Sequence, residues 1–295
     1  MPATAEESML YLNGQFIPIE AARISALDRG CLFGDGVYEV IPVYSRHPFR
    51  LFEHLKRLAA SLESLLFPMI HTPQEWADLI RETIGLQSFD DQSVYLHVTR
   101  GAAPFRDFPF PVPLNPTVMI YPTPLVTTEP RVKAAGVRAL SHGDFRWLRC
   151  DVKSLNLLPT VLMREQAKRA DCAEVIFFRD GFLTEGAASN IFVVKDGVIL
   201  APPKSNWMLS GITYDLVCEL ALAHHIPHDI RPISEAEVRG ADELWMTSST
   251  KEVLALVALD DVPVGTGQVG PMAVRMDGLY QDFKNTVMRQ GDSDE

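Results

Sequence analysis

The order of apolar and polar positions divides the chain into short alternating runs and longer stretches of helical spacing. Leu10-Tyr11-Leu12 and Gln15-Phe16-Ile17 flank Asn13-Gly14, a pair that supplies the positive φ angles of a tight hairpin turn. Val37-Tyr38-Glu39-Val40-Ile41 alternates as a strand does. Leu51 to Leu66 carries apolar residues at helical spacing, and Thr72-Pro73-Gln74-Glu75 reads as a capping box opening a helix through Ile84. Ser93 to Thr99 and Thr117 to Tyr121 read as strands. Periodicity then lapses between Pro122 and Pro130, where Pro and Thr dominate.

Beyond that gap the pattern predicts a strand at Val137 to Leu140, a helix from Ser154 to Ala170 and a strand at Glu174 to Phe178. Hairpins turn at Arg179-Asp180-Gly181 and Lys195-Asp196-Gly197, and a helix opens at Gly211-Ile212-Thr213 and runs to His224. Glu243 to Thr247 reads as a strand and Leu279 to Met288 as a closing helix. Hairpins and helices without strict alternation define a mixed α/β (α+β) class. The expected division is a small lobe over residues 1–123, a linker over 124–132 and a larger lobe over 133–295.

Composition narrows the function classes. Apolar residues make up 47% of 295 positions, enough for a sizeable core without a metal or disulfide staple. Lys+Arg 27 against Asp+Glu 38 gives a net charge of -11, which argues against a nucleic-acid or anionic-membrane surface. The run from Gly291 to Glu295 reads as a solvated acidic tail. Cys31, Cys150, Cys172 and Cys218 lack metal or disulfide spacing, and no histidine pair sits at metal-ligand spacing beside carboxylates. No apolar run approaches the ~18 residues of a membrane span. Residues 1–7 lack the basic and apolar regions of a secretory signal, so a cytoplasmic location is expected.

The familiar catalytic strings GxSxG and HExxH are absent, as is a Walker loop. Lysine is more informative. Seven of the eight sit on helices beside arginines, in turns or in loops, whereas Lys153 lies in Arg146-Trp147-Leu148-Arg149-Cys150-Asp151-Val152-Lys153-Ser154-Leu155-Asn156 among apolar side chains. A partly desolvated amine there suits a Schiff-base nucleophile; a packed stem with a solvated head is the alternative. Gly211-Ile212-Thr213 opens a helix whose unbonded N–H groups attract anions. Thr247-Ser248-Ser249-Thr250 offers hydroxyls to the same kind of ligand, and Glu185 stands in a turn between strands. Each also reads as ordinary capping or turn chemistry. Together, a lysine, two phosphate cradles and an isolated acid are what pyridoxal phosphate requires.

Three windows, Asp28 to Tyr44, Arg146 to Leu158 and Thr184 to Gly197, resemble the class IV (fold type IV) pyridoxal-phosphate aminotransferases, and within them the bacterial D-amino-acid branch. The resemblance extends from Leu10 to the closing helix. It implies a two-lobed enzyme with a pseudo-barrel in the larger C-terminal lobe, and a homodimer with the active site at the subunit interface. Lys153 would form the Schiff base and move the substrate α-proton, and Glu185 would pair with the ring nitrogen. Arg57, Ile212, Thr213, Ser248 and Ser249 would hold the phosphate, while Leu209 would pack on the ring. An ion pair of Arg57 with Glu53 one helical turn away is the alternative for the arginine. Tyr38 would meet the substrate carboxylate, or simply line a half-buried strand.

The branched-chain members of the family carry a tyrosine five residues after the lysine, where this chain has Leu158. The aminodeoxychorismate lyases often show Leu-Asn-Arg after the lysine, where this chain has Leu155-Asn156-Leu157. The implied reaction is transfer of an amino group from a D-amino acid to 2-oxoglutarate or pyruvate, by a ping-pong route. An (R)-amine or branched-chain transaminase is the alternative, and the lyase stands third. One departure stands out. The branch carries Arg-x-His-x-x-Pro in a loop that reaches across the dimer to the substrate carboxylate, whereas this chain has Arg106-Asp107-Phe108-Pro109-Phe110-Pro111. In one alignment Arg106 takes the arginine's place; in another Phe105 does.

Overall fold

The computed structural model describes residues 8–291; the acidic tail expected from the sequence lies, beyond Gly291, outside them. The chain forms two compact units. The first comprises residues 1–125, 152–157 and 284–295, and the second 126–151 and 158–283. Two segments that the linker-based division leaves with the second lobe thus belong to the first unit.

The first unit is built on six strands: β1 (Met9–Leu12), β2 (Gln15–Pro18), β3 (Gly36–Tyr44), β4 (His47–Pro48), β5 (Gln92–Thr99) and β6 (Thr117–Pro124). They run antiparallel in the order β2-β1-β6-β5-β3-β4. Asn13 and Gly14 hold the expected positive φ angles of 49° and 91°. Three helices accompany the sheet: α1 (Arg29–Phe33), α2 (Leu51–Ser64) and α3 (Pro73–Gly85). The Thr72–Glu75 capping box is formed as the sequence predicts. Leu55, Leu58 and Leu62 of α2 and Trp76 and Ile80 of α3 pack on Val37, Ile41, Val94 and Leu96. Val152 completes that core, which is why a distant six-residue segment joins this unit.

The second unit carries α4 (Pro130–Ala135), β7 (Val137–Gly143), α5 (Leu158–Arg169), β8 (Glu174–Arg179), β9 (Phe182–Gly186), β10 (Asn190–Lys195), β11 (Val198–Ala201), α6 (Ile212–Ala223), β12 (His228–Ile230), α7 (Glu235–Arg239), β13 (Glu243–Ser248), β14 (Glu252–Leu259), β15 (Val262–Pro263) and α8 (Pro271–Phe283). Its mixed nine-stranded sheet runs β12-β11-β10-β13-β14-β7-β8-β9, with β15 on β14. Ile176, Ile191, Val193, Leu244 and Leu256 form its core.

Two boundaries correct the sequence reading. The helix expected from Ser154 begins at Leu158, because Leu155 N–H bonds to Gly36 O and Ser154 bridges Val37. The strand-like pairing wins wherever a neighbouring edge accepts the backbone groups. The closing helix starts earlier, at Pro271, and residues 284–288 form a π-helical turn. Strand β14 was not expected. Among the described residues no helix is long and apolar enough to cross a membrane.

Candidate active site

The predicted site residues fall into two sets, one on each unit. On the first, Lys153 is fixed through its backbone: its carbonyl accepts from Tyr38 N–H at 3.0 Å and its N–H donates to Ser61 Oγ at 3.2 Å. Extended backbone alternates its side chains, so Val152 and Ser154 are buried while Lys153 points away from that core, half-buried. Its Nζ stands 4.3 Å from the centroid of the Tyr38 ring, within cation–π range. No carboxylate among the described residues pairs with it. The Tyr38 ring lies 5.7 Å from that of Tyr95, whose hydroxyl meets His97 Nδ1 at 3.0 Å.

On the core side of β3 sits Glu39, fully buried. A carboxylate there must be paired. Arg57 of α2 donates from Nε and Nη2 to its two oxygens, both at 2.7 Å, and His54 Nδ1 lies 2.8 Å away. Burial would push the Glu39 carboxyl up, but Arg57 and His54 hold it well below the usual range. Burial lowers His54, against the pull of Glu39. The alternative pairing of Arg57 with Glu53 is replaced by this buried one. His54 Nε2 has no hydrogen-bond partner among the described residues.

On the second unit Glu185 is buried near the end of β9. It accepts from Arg146 Nη1 at 2.5 Å and from Leu209 N–H at 3.0 Å, with Asn190 Nδ2 at 3.5 Å. Arg146 also grips Asp144 through Nε at 3.0 Å and Nη2 at 2.9 Å, and Arg179 reaches Asp144 at 3.1 Å. The result is an alternating row of charges: Arg179, Asp144, Arg146, Glu185. Burial pushes Glu185 up to about 7 despite Arg146. Burial would also raise Asp144, but Arg146 and Arg179 keep it below the usual range. Arg146, Asp144 and Asn190 were not singled out from the sequence, although Arg146 and Asn190 stand inside two of the three family windows.

Asn190 organises the remaining groups. Its Nδ2 donates to Leu209 O at 3.0 Å, and a Cβ on Gly211 would come within 2.0 Å of its Oδ1. Only glycine lets the amide approach so closely. Gly211 caps α6 without any side-chain hydrogen bond, so the first N–H groups of Ile212 and Thr213 keep the anion-binding character of a helix start. Across the sheet, Asn190 is paired with Thr247, whose buried Oγ1 has no partner among the described residues. Ser248 follows at the end of β13, its Oγ accepting from Lys251 N–H at 3.1 Å, and Ser249 lies in the turn beyond. Arg106 is set apart from these groups. It is exposed, over the rings of Phe33 at 4.9 Å and Phe108 at 5.4 Å, and no hydrogen bond or ring contact joins it to Tyr38 or Lys153.

Fold and site together define an aminotransferase of class IV: the model of that family, amino-transferase class IV, matches residues 36–259, and the chain belongs to it. Among characterised relatives, the D-alanine aminotransferase of Staphylococcus haemolyticus is 36% identical over 279 residues, covering 93% of this chain and 97% of the relative. That of Bacillus licheniformis is 35% identical over 273 residues, covering 92% and 96%. The structure of the T.th. branched-chain amino acid aminotransferase with pyridoxamine 5'-phosphate superimposes with a TM-score of 0.86 at 27% identity, covering 94% of this chain and 93% of that one. The enzyme is therefore a fold type IV, pyridoxal-phosphate-dependent transaminase. The donor set fits that cofactor: an uncapped helix start and a buried hydroxyl unpartnered among the described residues suit a phosphate, a buried acid suits a ring nitrogen, and an amine with no counter-ion among the described residues suits an aldehyde.

Proposed function

We propose that the protein transfers the amino group of a D-amino acid, D-alanine among them, to a 2-oxo acid such as 2-oxoglutarate or pyruvate, in two half-reactions on one site. The observation that carries the reading is Lys153, whose ammonium rests on the Tyr38 ring with no carboxylate among the described residues paired with it. The near-full-length likeness to D-alanine aminotransferases, and Leu158 in place of the branched-chain tyrosine, support the substrate class. Bound pyridoxal phosphate supplies the electron sink for the α-carbon.

Lys153 Nζ would take the α-proton of the amino donor in the first half-reaction and supply a proton to the α-carbon of the new amino acid in the second. Glu185 keeps the ring nitrogen protonated, with Arg146 holding the carboxylate in place. Ile212, Thr213, Ser248, Ser249 and Arg57 hold the phosphate, Arg57 oriented by Glu39. Leu209 packs on the ring. Tyr38 and Arg106 receive the substrate carboxylate. We assign the active form to a cytoplasmic homodimer with its sites at the subunit interface. In the second unit Phe145, Trp147, Leu148, Leu158, Val161 and Leu162 are exposed, the kind of apolar surface that a second copy covers. A second reading, an (R)-amine transaminase, draws support from Phe108, which offers no hydrogen bond where the family has histidine.

The test is the visible absorbance of the bound cofactor with D-alanine and L-alanine in turn, followed by pyruvate release. Loss of the band with the D-enantiomer alone supports the reading, and loss with L-leucine instead refutes it. Light scattering on the purified protein tests the dimer.

A further inference from the structure

The stretch from Ala102 to Pro116 carries Arg106 and four prolines before Asn115, so it cannot hold itself in place with a backbone ladder. Its anchor is a buried arginine on α1. Arg29, with a side chain only 5% exposed, donates Nη1 to the carbonyls of Asp107 at 2.6 Å and Pro109 at 3.2 Å, Nη2 to that of Phe108 at 2.9 Å, and Nε to Asp35 at 2.7 Å. Three successive carbonyls thus converge on one guanidinium. Arg100 shares Asp35 at 2.9 Å, and its guanidinium lies 3.6 Å from the centroid of the Phe110 ring and 4.0 Å from that of Phe67. The loop is held by a carboxylate, two guanidiniums and an aromatic ring.

We infer that Arg29 is a positioning residue for substrate recognition: it fixes the backbone immediately after Arg106, and so sets where Arg106 and Phe108 stand. This rests on the proposed role of Arg106 at the substrate carboxylate. A planar fork with five donors can serve four acceptors at once, which an ammonium cannot. Arg29→Lys therefore keeps the charge and loses the clasp.

The experiment compares the parent holoenzyme with Arg29→Lys and Arg29→Met by hydrogen–deuterium exchange of the peptide spanning residues 103–112, and by steady-state kinetics with D-alanine and (R)-1-phenylethylamine. Expected are exchange in that peptide faster by about tenfold with the other peptides unchanged, KM for D-alanine raised by about tenfold or more, and kcat and the amine's KM within about threefold of the parent. Phe110→Ala loosens the same loop without removing a charge and should give the same pattern, which keeps the test open if an Arg29 variant does not fold. Unchanged exchange overturns the clasp. Faster exchange with an unchanged KM for D-alanine overturns its role in recognition. A parent that does not consume D-alanine overturns the substrate reading itself, and the exchange data then still decide whether Arg29 holds the loop.

Discussion

Glu39→Gln should destabilise the first unit strongly, and its size follows from the geometry. Glu39 is fully buried and receives two Arg57 donors at 2.7 Å and His54 at 2.8 Å. The amide retains one acceptor, places an NH2 against a guanidinium donor, and leaves Arg57, only 12% exposed, without its countercharge. Removing one partner of a buried pair costs about 3–5 kcal/mol. At about 2–4 °C per kcal/mol, that is a fall in Tm of roughly 6–20 °C. The measurement is thermal unfolding by circular dichroism on cofactor-stripped protein, since a ligand bound to the folded state would mask part of the loss. The pH dependence has a definite sign. Because the folded pKa lies well below the ordinary 4.5, the contribution of Glu39 is fully present above about pH 4.5 and is lost as pH falls toward the folded value. The gap between parent and variant should therefore be flat from neutral pH to about 5 and narrow below that. Adding Arg57→Met should restore part of the stability by removing the stranded charge. A Tm within about 2 °C of the parent at pH 7 would refute the pairing.

Lys153→Ala should abolish steady-state turnover of D-alanine while leaving the fold intact by circular dichroism; near-normal turnover without added amines would remove Lys153 from the chemistry. Glu185→Gln should lower kcat more than cofactor affinity. Burial raises Glu185 to about 7, so its contribution to stability favours the fold at low pH and is lost as pH rises from about 4.5 through 7; the variant should flatten that slope in cofactor-free protein. Arg106→Ala should raise KM for D-alanine by roughly tenfold to a hundredfold and spare (R)-1-phenylethylamine, whereas equal losses on both would assign Arg106 a structural role.

What the sequence made legible was local. The Asn13-Gly14 hairpin and the Thr72–Glu75 capping box are complete within four residues, and both formed as expected. Lys153, Glu185 and the α6 start were visible as short strings for the same reason. The ion pairs around the site were not, because their members lie far apart along the chain: Arg146 stands 39 residues from Glu185 and Arg57 18 from Glu39. A signal for the second pair did exist. Alternation along Val37-Tyr38-Glu39-Val40-Ile41 places Glu39 on the same face as Val37 and Ile41, and an acid at a core-facing position demands a cation. The true start of α5 was also marked, by Pro159, which favours the first turn of a helix. The hydrogen bond that moves the start away from Ser154 runs from Leu155 to Gly36 of β3, more than a hundred residues upstream, where no local pattern shows it.

The division of the chain into units that are each discontinuous bears on how the protein is made. The nascent first unit lacks Val152, the residue that fills its core, and the antiparallel partner of Val37 until residues 152–157 have left the ribosome. It lacks Arg289, which pairs with Asp91 at 2.6 Å, until residue 289 has been added. Vectorial folding of one half before the other is therefore closed to this chain, and early intermediates carry an unfinished apolar face. Expression of residues 1–125 alone would yield a fragment without two of its own pieces, whereas co-expression with the remainder could reassemble the whole. The lysine proposed for the chemistry, Lys153, enters its unit only with the six residues that complete it, so on that reading maturation of the fold and of the reactive amine are one event.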